Sequence, residues 1–486
     1  MKILGINCLN HDAAVSVIDN GEIVFAAHSE RYSKIKNDMY LNDSIISAAM
    51  IHGPFDKIAY YERPWIKKSR QLYAGQYSEV FSLKNLPQRY LKKWLDVSKI
   101  TYVDHHYSHA AAGYFTSMYN EAAILVIDGI GEWDVLTIWH AKGNNIKKVY
   151  SIKYPNSLGL FYSAVTQQCK LKPCEEEYIL MGMSAWGKPT YSNKLYNDLF
   201  NSNELLNLRY NLHKGLGNYG KEFDIFDFAS SAQKVTELVL DNIVKKTKEL
   251  VPSKNLVFMG GVALNCVANS NVLTKYYDNI WIMPNPGDAG SSLGAAAAVY
   301  GKHVNWKSPY LGTNIKGNYP VNTACELLLN GDIIGVANGK AEFGPRALGN
   351  RSLLADPRGI EIKDKVNSIK HRQKFRPFAP AVLKEHAHEI FEMPVNHIPY
   401  MQYTAKCKYP ELYPAICHID NTSRVQTVSE SDNPGFYSLI RRFYEKTGCP
   451  MLLNTSLNIK GQPIVDNEED AFQFEKYYNV KVLINE

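Results

Sequence analysis

Cysteine is sparse and unpaired by spacing in this 486-residue chain: Cys8, Cys169, Cys174, Cys266, Cys325, Cys407, Cys417 and Cys449 are scattered, with no Cys-x-x-Cys anywhere. A zinc ribbon, a thioredoxin-like redox motif and a disulfide framework are thereby excluded. Long apolar runs are missing as well. None approaches the ~18 residues of a membrane-spanning helix, and the mean hydropathy is −0.28. Met-Lys-Ile-Leu-Gly-Ile reaches Asn7 and then Asn10-His11-Asp12 before a signal-like apolar region can develop. The reading is a cytoplasmic protein with reduced thiols. No G-x-x-x-x-G-K-[ST], G-x-S-x-G or H-E-x-x-H occurs, which disfavours Walker ATPase, serine hydrolase and zincin chemistry.

Charge of one sign is not in great excess: 54 Lys and Arg stand against 48 Asp and Glu, a net +6. That balance suits small anionic substrates as well as nucleic acid. Hydrophobic residues make up 45% and charged residues 21%, an ordinary globular composition. The length accommodates two to four domains.

The opening alternates in strand fashion. Lys2 to Cys8 and Ala13 to Ile18 flank the polar Asn10-His11-Asp12, and Asp19-Asn20-Gly21 turns into Glu22 to Ala27. Asn-Gly is a strong hairpin signal because both residues accept positive φ. The unit recurs: Ala123 to Ile127, a polar loop Asp128-Gly129-Ile130-Gly131, Trp133 to His140, a Gly-Asn turn, then Ile146 to Ile152. A repeated hairpin with an Asp after its first strand predicts two related halves, as in actin-like or ribonuclease-H-like folds. Strand–glycine loop–helix units follow at Asn255 to Leu273 and Ile280 to Val299, placing helix N-termini where phosphate is favoured. Gly301 to Asn318 reads as a linker. A fresh α/β stretch begins with a helix near Asn322 and the strand Ile333 to Ala337, giving domains of 1–312 and 313–486.

Several groups could carry chemistry. In Asp104-His105-His106-Tyr107-Ser108-His109, a helix would put His105 and His109 one turn apart on a common face. They could ligate one metal, or simply be hydrogen-bonded histidines at a helix start capped by Asp104. Asp128 and Asp288 each follow a predicted strand. Two imidazoles with two carboxylates would suit Fe(II), Mn or Zn. In the second domain, alternation along an extended Lys370 to Arg376 segment would align Lys370, Arg372 and Arg376 towards a phosphate. Ser456 and Asn458 offer a hydroxyl and an amide after an apolar strand. The Glu342 to Ser352 block, with Arg346 and Arg351, reads either as an anion-binding loop or as an ordinary turn.

Taken in order, these stretches resemble the NodU/CmcH family of ATP-dependent O-carbamoyltransferases nearly end to end. The resemblance rests on Gly5-Ile6 to His11-Asp12, Glu30-Arg31 with Lys36, the His105–His109 pair, Val126-Ile127-Asp128-Gly129, and Gly260-Gly261-Val262-Ala263-Leu264-Asn265. Asn285-Pro286-Gly287-Asp288-Ala289-Gly290 and the Glu342 to Ser352 block complete it. It implies an α/β chain that fuses an actin-like, duplicated ribonuclease-H-like domain to a YrdC-like domain. The YrdC-type signature is matched by Lys370-His371-Arg372 and Ser456-Leu457-Asn458.

The same resemblance implies the chemistry. Carbamoyl phosphate and ATP, supplied as its Mg complex, would form carbamoyl-adenylate at Lys370, Arg372, Arg376, Ser456 and Asn458. A small hydroxylated acceptor would then take the carbamoyl group beside Fe(II) or another divalent metal held by His105, His109, Asp128 and Asp288. Gly260, Gly261 and Asn265, with Arg346 and Arg351, would contact nucleotide or substrate. His11 with Asp12, and Lys36, are the remaining catalytic candidates; His11 would deprotonate the acceptor because imidazole titrates near neutral pH. One departure is Ile179, where the family usually has lysine. Two other readings are a tRNA threonylcarbamoyl-type transferase and a non-catalytic actin-like nucleotide-binding regulator. The first would need an RNA footprint that no strongly basic tail supplies.

Overall fold

The chain is described over residues 1–486 by a computed structural model. It divides into two compact units. One comprises Met1–Ser33 and Asn37–Lys307, the other Lys34–Lys36 and Ser308–Glu486.

The first unit holds two five-stranded sheets. In one, β1 (Lys2–Asn7), β2 (Ala14–Asp19) and β3 (Glu22–His28) are antiparallel neighbours, while β4 (Lys57–Tyr60) and β5 (Ile100–Tyr102) add parallel to β1, giving the order β3-β2-β1-β4-β5. The other contains β6 (Glu121–Gly131), β7 (Asp134–Lys142), β8 (Asn145–Lys153), β9 (Asn255–Met259) and β10 (Asn279–Trp281). Its order, β8-β7-β6-β9-β10, repeats the first with the same sense at every pairing. The duplication suggested by the recurring hairpin is therefore present in the strand topology. Asn20 (φ 49°) and Gly21 (φ 91°) make the first hairpin turn, as the Asn-Gly pair requires.

β1 and β6 are central strands with buried, near-continuous apolar sequence. The helices His105–Thr116 and Ser291–Tyr300 pack closely, because Ser108 and Ala112 on one meet Gly294 on the other. A β-carbon at Gly294 would stand 1.8 Å from the Ser108 carbonyl oxygen. Only glycine permits that approach, and it brings the two histidines of the first helix near the start of the second.

The second unit has a six-stranded sheet. Its strands are β12 (Ile334–Ala337), β14 (Arg351–Ala355), β15 (Ala379–Leu383), β19 (Gln426–Val428), β20 (Met451–Ser456) and β21 (Val482–Leu483). They are ordered β19-β15-β20-β14-β12-β21. The remaining strands form a pair, β11 (Tyr310–Ile315) with β13 (Gly339–Glu342), and a triplet of β16 (Phe391–Glu392), β17 (Thr404–Cys407) and β18 (Thr422–Arg424). Apolar faces of the helices Val321–Leu329, Pro434–Thr447 and Glu468–Tyr478 complete its core.

Three local expectations change. Asp128-Gly129-Ile130-Gly131 is not a loop. It continues β6 through a register shift between Ile127 and Gly131, an irregularity that lets the strand bend while keeping its partner. The supposed linker after Gly301 contains β11, whose partner β13 lies too far along the chain for local pattern to reveal. Lys370 to Arg376 is not a strand either: the helix Ile362–Ile369 ends at Lys370, and irregular turns follow.

Candidate metal centre and anion site

His105 and His109 lie on the first turns of their helix, which starts because Asp104 caps it, accepting the Tyr107 N–H at 3.0 Å. Arg63 braces that cap, donating from one Nη2 to Asp104 (2.6 Å) and to the buried Glu132 (2.6 Å). Asp128 comes from the β6 irregularity, and Asp288 from the short turn ahead of the Ser291–Tyr300 helix. These three separate segments converge, and their candidate ligand atoms all lie within 4.8 Å of one another.

The His105 and His109 Nε2 atoms are 3.2 Å apart. Asp288 Oδ1 is 3.4 Å from the first and 3.3 Å from the second, and Asp128 Oδ2 is 3.5 Å from His105 Nε2. Although close, Asp288 Oδ1 has no aligned hydrogen-bond donor and is buried. Two imidazole nitrogens and an orphaned carboxylate oxygen gathered in this way fit a divalent cation of borderline hardness.

Electrostatics agree with that donor set. Burial works against charge on His105, but the Asp288 and Asp128 carboxylates outweigh it and raise its pKa well above the usual value. Burial and mutual repulsion oppose charge on the two aspartates, yet the histidines hold Asp288 well below the carboxylate range and Asp128 below it too. His106 is different. Burial, then His105 and His109, keep it neutral, with Nδ1 2.9 Å from the Thr137 hydroxyl.

The Gly260-Gly261 loop touches this centre through its main chain, since the Gly261 N–H donates to Asp128 Oδ1 at 2.9 Å. Gly260 has φ 91°, and a β-carbon there would stand 2.2 Å from the Ile127 carbonyl oxygen. Glycine is obligatory at that point. Asn265 is tied into the fold: it caps the Cys266–Val272 helix and exchanges hydrogen bonds with Gln233. On the other side, Asn10 donates to Asp288 Oδ2 at 3.4 Å. His11 Nδ1 lies 2.9 Å from Asp12 Oδ2. Burial opposes protonation of His11, but the hydrogen bond and charge of Asp12 dominate and raise its pKa to about 9. At neutral pH it is therefore an imidazolium, contrary to the expectation of a neutral base.

In the second unit, Lys370 is buried and points into β20's end. Its Nζ donates to the Ser456 carbonyl, the Ser456 hydroxyl (3.3 Å), the Asn458 carbonyl (2.9 Å) and Asn458 Oδ1 (3.0 Å). Ser456 in turn donates to Asn458 Oδ1 at 2.6 Å. Burial, then Arg372 and Arg376, push the Lys370 pKa well below its ordinary value. Arg372 is half-buried over the Phe378 ring at 4.1 Å, and its Nε donates to Asn367 at 2.6 Å. Lys370, Arg372, Ser456 and Asn458 thus come together, through a helix end rather than strand alternation.

Arg351 is corrected. It is fully buried, and its five N–H groups donate to the carbonyls of Asp466, Asn338, Asn350, Thr313 and Gly339, leaving none for an anion. The nearby loop is already filled from within: buried Glu342 accepts from the main-chain N–H groups of Leu348 (2.8 Å), Asn350 (3.0 Å) and Arg351 (3.3 Å). Arg346 is half-buried in that loop. Lys36 is exposed, in the Lys34–Lys36 stretch that belongs to the second unit. Ile179 is buried in the Glu177–Met183 helix of the first unit.

Two family profiles cover most of the chain: Carbamoyltransferase N-terminus over residues 63–297 and Carbamoyltransferase C-terminus over residues 325–486. The chain belongs to the carbamoyltransferase family. It is 33% identical to the uncharacterized protein sll1178 of Synechocystis over 97% of this chain and 93% of that protein. It is 30% identical to nodulation protein NolNO of Sinorhizobium fredii over 96% of this chain and 76% of that one. Among solved structures, component A of (R)-2-hydroxyglutaryl-CoA dehydratase from Acidaminococcus fermentans aligns at TM-score 0.36 and 15% identity, over 61% of this chain and 97% of that one. Membership of the carbamoyltransferase family makes the protein an enzyme, and no helix is long and apolar enough to cross a membrane. In this carbamoyltransferase, sequence pattern missed the role of Glu342 inside its loop and the Arg63–Glu132 brace. Both act through contacts that form only in the folded chain.

Proposed function

We propose that this carbamoyltransferase is ATP-dependent and transfers the carbamoyl group to a hydroxyl of a sugar or natural product through carbamoyl-adenylate. The second unit, read as YrdC-like, would make the adenylate. Carbamoyl phosphate is split by water to carbamate and phosphate, and a carbamate oxygen then attacks the α-phosphorus of MgATP, expelling pyrophosphate. The carrying observation is Lys370: a buried lysine held by Ser456 and Asn458, beside two arginines and with no carboxylate partner. An arriving anion would take the place of one of its four protein acceptors and supply the negative charge they lack. Arg372 and Arg376 add charge, and Ser456 and Asn458 orient the phosphate by hydrogen bonds.

The first unit, read as actin-like, would carry out transfer. The acceptor hydroxyl attacks the carbamoyl carbon, the bond to the adenylate oxygen breaks, and AMP leaves. His11, set by Asp12, takes the hydroxyl proton in its neutral form, whose share grows as pH rises towards about 9. The Gly260-Gly261 loop would border the nucleotide, its own N–H groups being held by the Pro286 carbonyl and Asp128. A divalent metal, Fe(II) by family resemblance, bound by His105, His109, Asp128 and Asp288 supplies Lewis acidity to oxygen ligands.

The test follows nucleotide products in a mixture of enzyme, ATP and carbamoyl phosphate. AMP and pyrophosphate are expected, and Lys370→Ala abolishes them while metal content stays unchanged. Formation of ADP, or undiminished AMP from the variant, overturns the adenylate route.

A further inference from the structure

Asn7 and Tyr61 carry unanswered polar atoms, Tyr61 against His105 of the metal centre and Asn7 against the His11-Asp12 turn. Asn7 ends β1, and Tyr61 follows the last residue of β4. Those strands are parallel with Ile6 opposite Tyr60, and the Tyr61 N–H donates to the Ile6 carbonyl at 3.2 Å, so the two residues are level at the strands' C-terminal ends. Both are fully buried. Alternation puts Asn7 on the same face of β1 as Gly5. That face packs on the Ser291–Tyr300 helix, where a β-carbon at Gly5 would stand 1.9 Å from the Ser292 carbonyl oxygen. Tyr61 stacks obliquely on His105, with ring centroids 5.2 Å apart.

The hydrogen bonds fix what each atom offers. The Asn7 Nδ2 group donates to the Asp12 carbonyl at 2.9 Å and towards the His11 carbonyl at 3.4 Å. A carbonyl accepts only, so the amide cannot be flipped and Oδ1 is the outward acceptor. Asn7 Oδ1 has no donor, and the Tyr61 hydroxyl has no acceptor. Two buried polar atoms left unsatisfied on residues at adjacent strand ends are costly unless a ligand completes them. The chain thus presents one acceptor and one donor at adjacent strand ends, beside the ligands of a metal centre.

A carbamoyl group is the complement of that pair, because its NH2 donates and its carbonyl oxygen accepts. We infer that Asn7 Oδ1 accepts the carbamoyl N–H and that the Tyr61 hydroxyl donates to the carbamoyl oxygen, making Asn7 the residue that separates carbamoyl from acetyl donors. This deepens the proposed function and rests on its adenylate intermediate. An acetyl group has the same shape and the same carbonyl, but its methyl would leave Asn7 Oδ1 buried and unpaired. Sites built to bond a substrate N–H or O–H reject the analogue lacking it by far more than shape alone allows.

The test uses two stable mimics on the metal-loaded, full-length enzyme: 5′-O-sulfamoyladenosine, which ends in NH2, and 5′-O-methylsulfonyladenosine, which ends in CH3. Titration calorimetry of the wild type should show a preference for the amino compound of about 100-fold or more. Asn7→Leu should collapse that preference to within a few fold while still binding the methyl compound. Tyr61→Phe, which removes one atom and keeps the packing, should weaken both about tenfold and leave the preference intact. A crystal structure of the wild-type complex should place the sulfamoyl nitrogen within hydrogen-bond reach of Asn7 Oδ1, a result that needs no variant to fold. Preference retained in Asn7→Leu, or a nitrogen bound elsewhere, overturns the assignment and leaves the adenylate route standing. Failure of the wild type to bind either compound overturns both.

Discussion

The Glu342 carboxylate accepts the main-chain N–H of Leu348 at 2.8 Å, from inside the loop that the sequence presents as an anion cradle. Three N–H groups close on one oxygen of this side chain, so the loop is folded around its own anion. Glu342→Ala should therefore cost roughly 2–4 kcal/mol, since the buried donors lose their only acceptor. Glu342→Gln keeps an oxygen there and should cost less. Urea unfolding gives both values; two variants as stable as the parent would remove the carboxylate from this role.

Metal content is the direct reading of the His105–His109–Asp128–Asp288 cluster. Purified wild type should take up a stoichiometric divalent ion, measured by plasma mass spectrometry after dialysis. His105→Ala and Asp288→Ala should each fall well below stoichiometry with circular dichroism unchanged. Arg63→Ala leaves all four ligands in place but loosens the Asp104 cap, and should weaken metal affinity about 10–100-fold, as loss of outer partners commonly does.

Phosphate binding should be coupled to proton uptake at Lys370. The folded environment lowers this lysine's pKa well below 10.5, through burial and then Arg372 and Arg376. An anion restores the charged form, so between the lowered pKa and the ordinary one the bound state carries more protons than the free state. Calorimetry with inorganic phosphate in buffers of different ionisation enthalpy should reveal that uptake, and Lys370→Met should lose it.

His11 should titrate late. Its hydrogen bond and charge interaction with Asp12 place the imidazole pKa near about 9, so protonation persists through neutral pH and is lost as pH rises past that value. Asp12→Asn removes the named cause and must move the midpoint downward, towards ~6.5. Nitrogen-resolved NMR of labelled histidine follows both without needing an acceptor. Identical midpoints would sever the dyad.

Much of the first unit was legible because its signals are local. Asn20-Gly21 announces a hairpin, and the copy at Gly143 announces its repeat. Residue type also marked His105, His109, Asp128 and Asp288 as ligand candidates, although only folding brings three distant segments within 4.8 Å. What escaped depends on partners far along the chain. β11 needs β13, Arg351 needs five carbonyls from separate segments, and Asn7 is informative only once its amide is seen fixed by the Asp12 carbonyl. Strand alternation misplaced Lys370 to Arg376 because nothing in their spacing records that the preceding helix runs up to Lys370.

The interrupted pairing between Ile127 and Gly131 gives this enzyme an unusual sensitivity to chain length. Four steps on this strand face two on its partner, so deleting one residue there would still leave the ribbon broken. A single deletion would turn the side chains that follow it on this strand to the opposite face, whereas a double one would keep their faces. Asp128 of the centre lies within the unpaired stretch, so an altered length there acts first on the metal ligand.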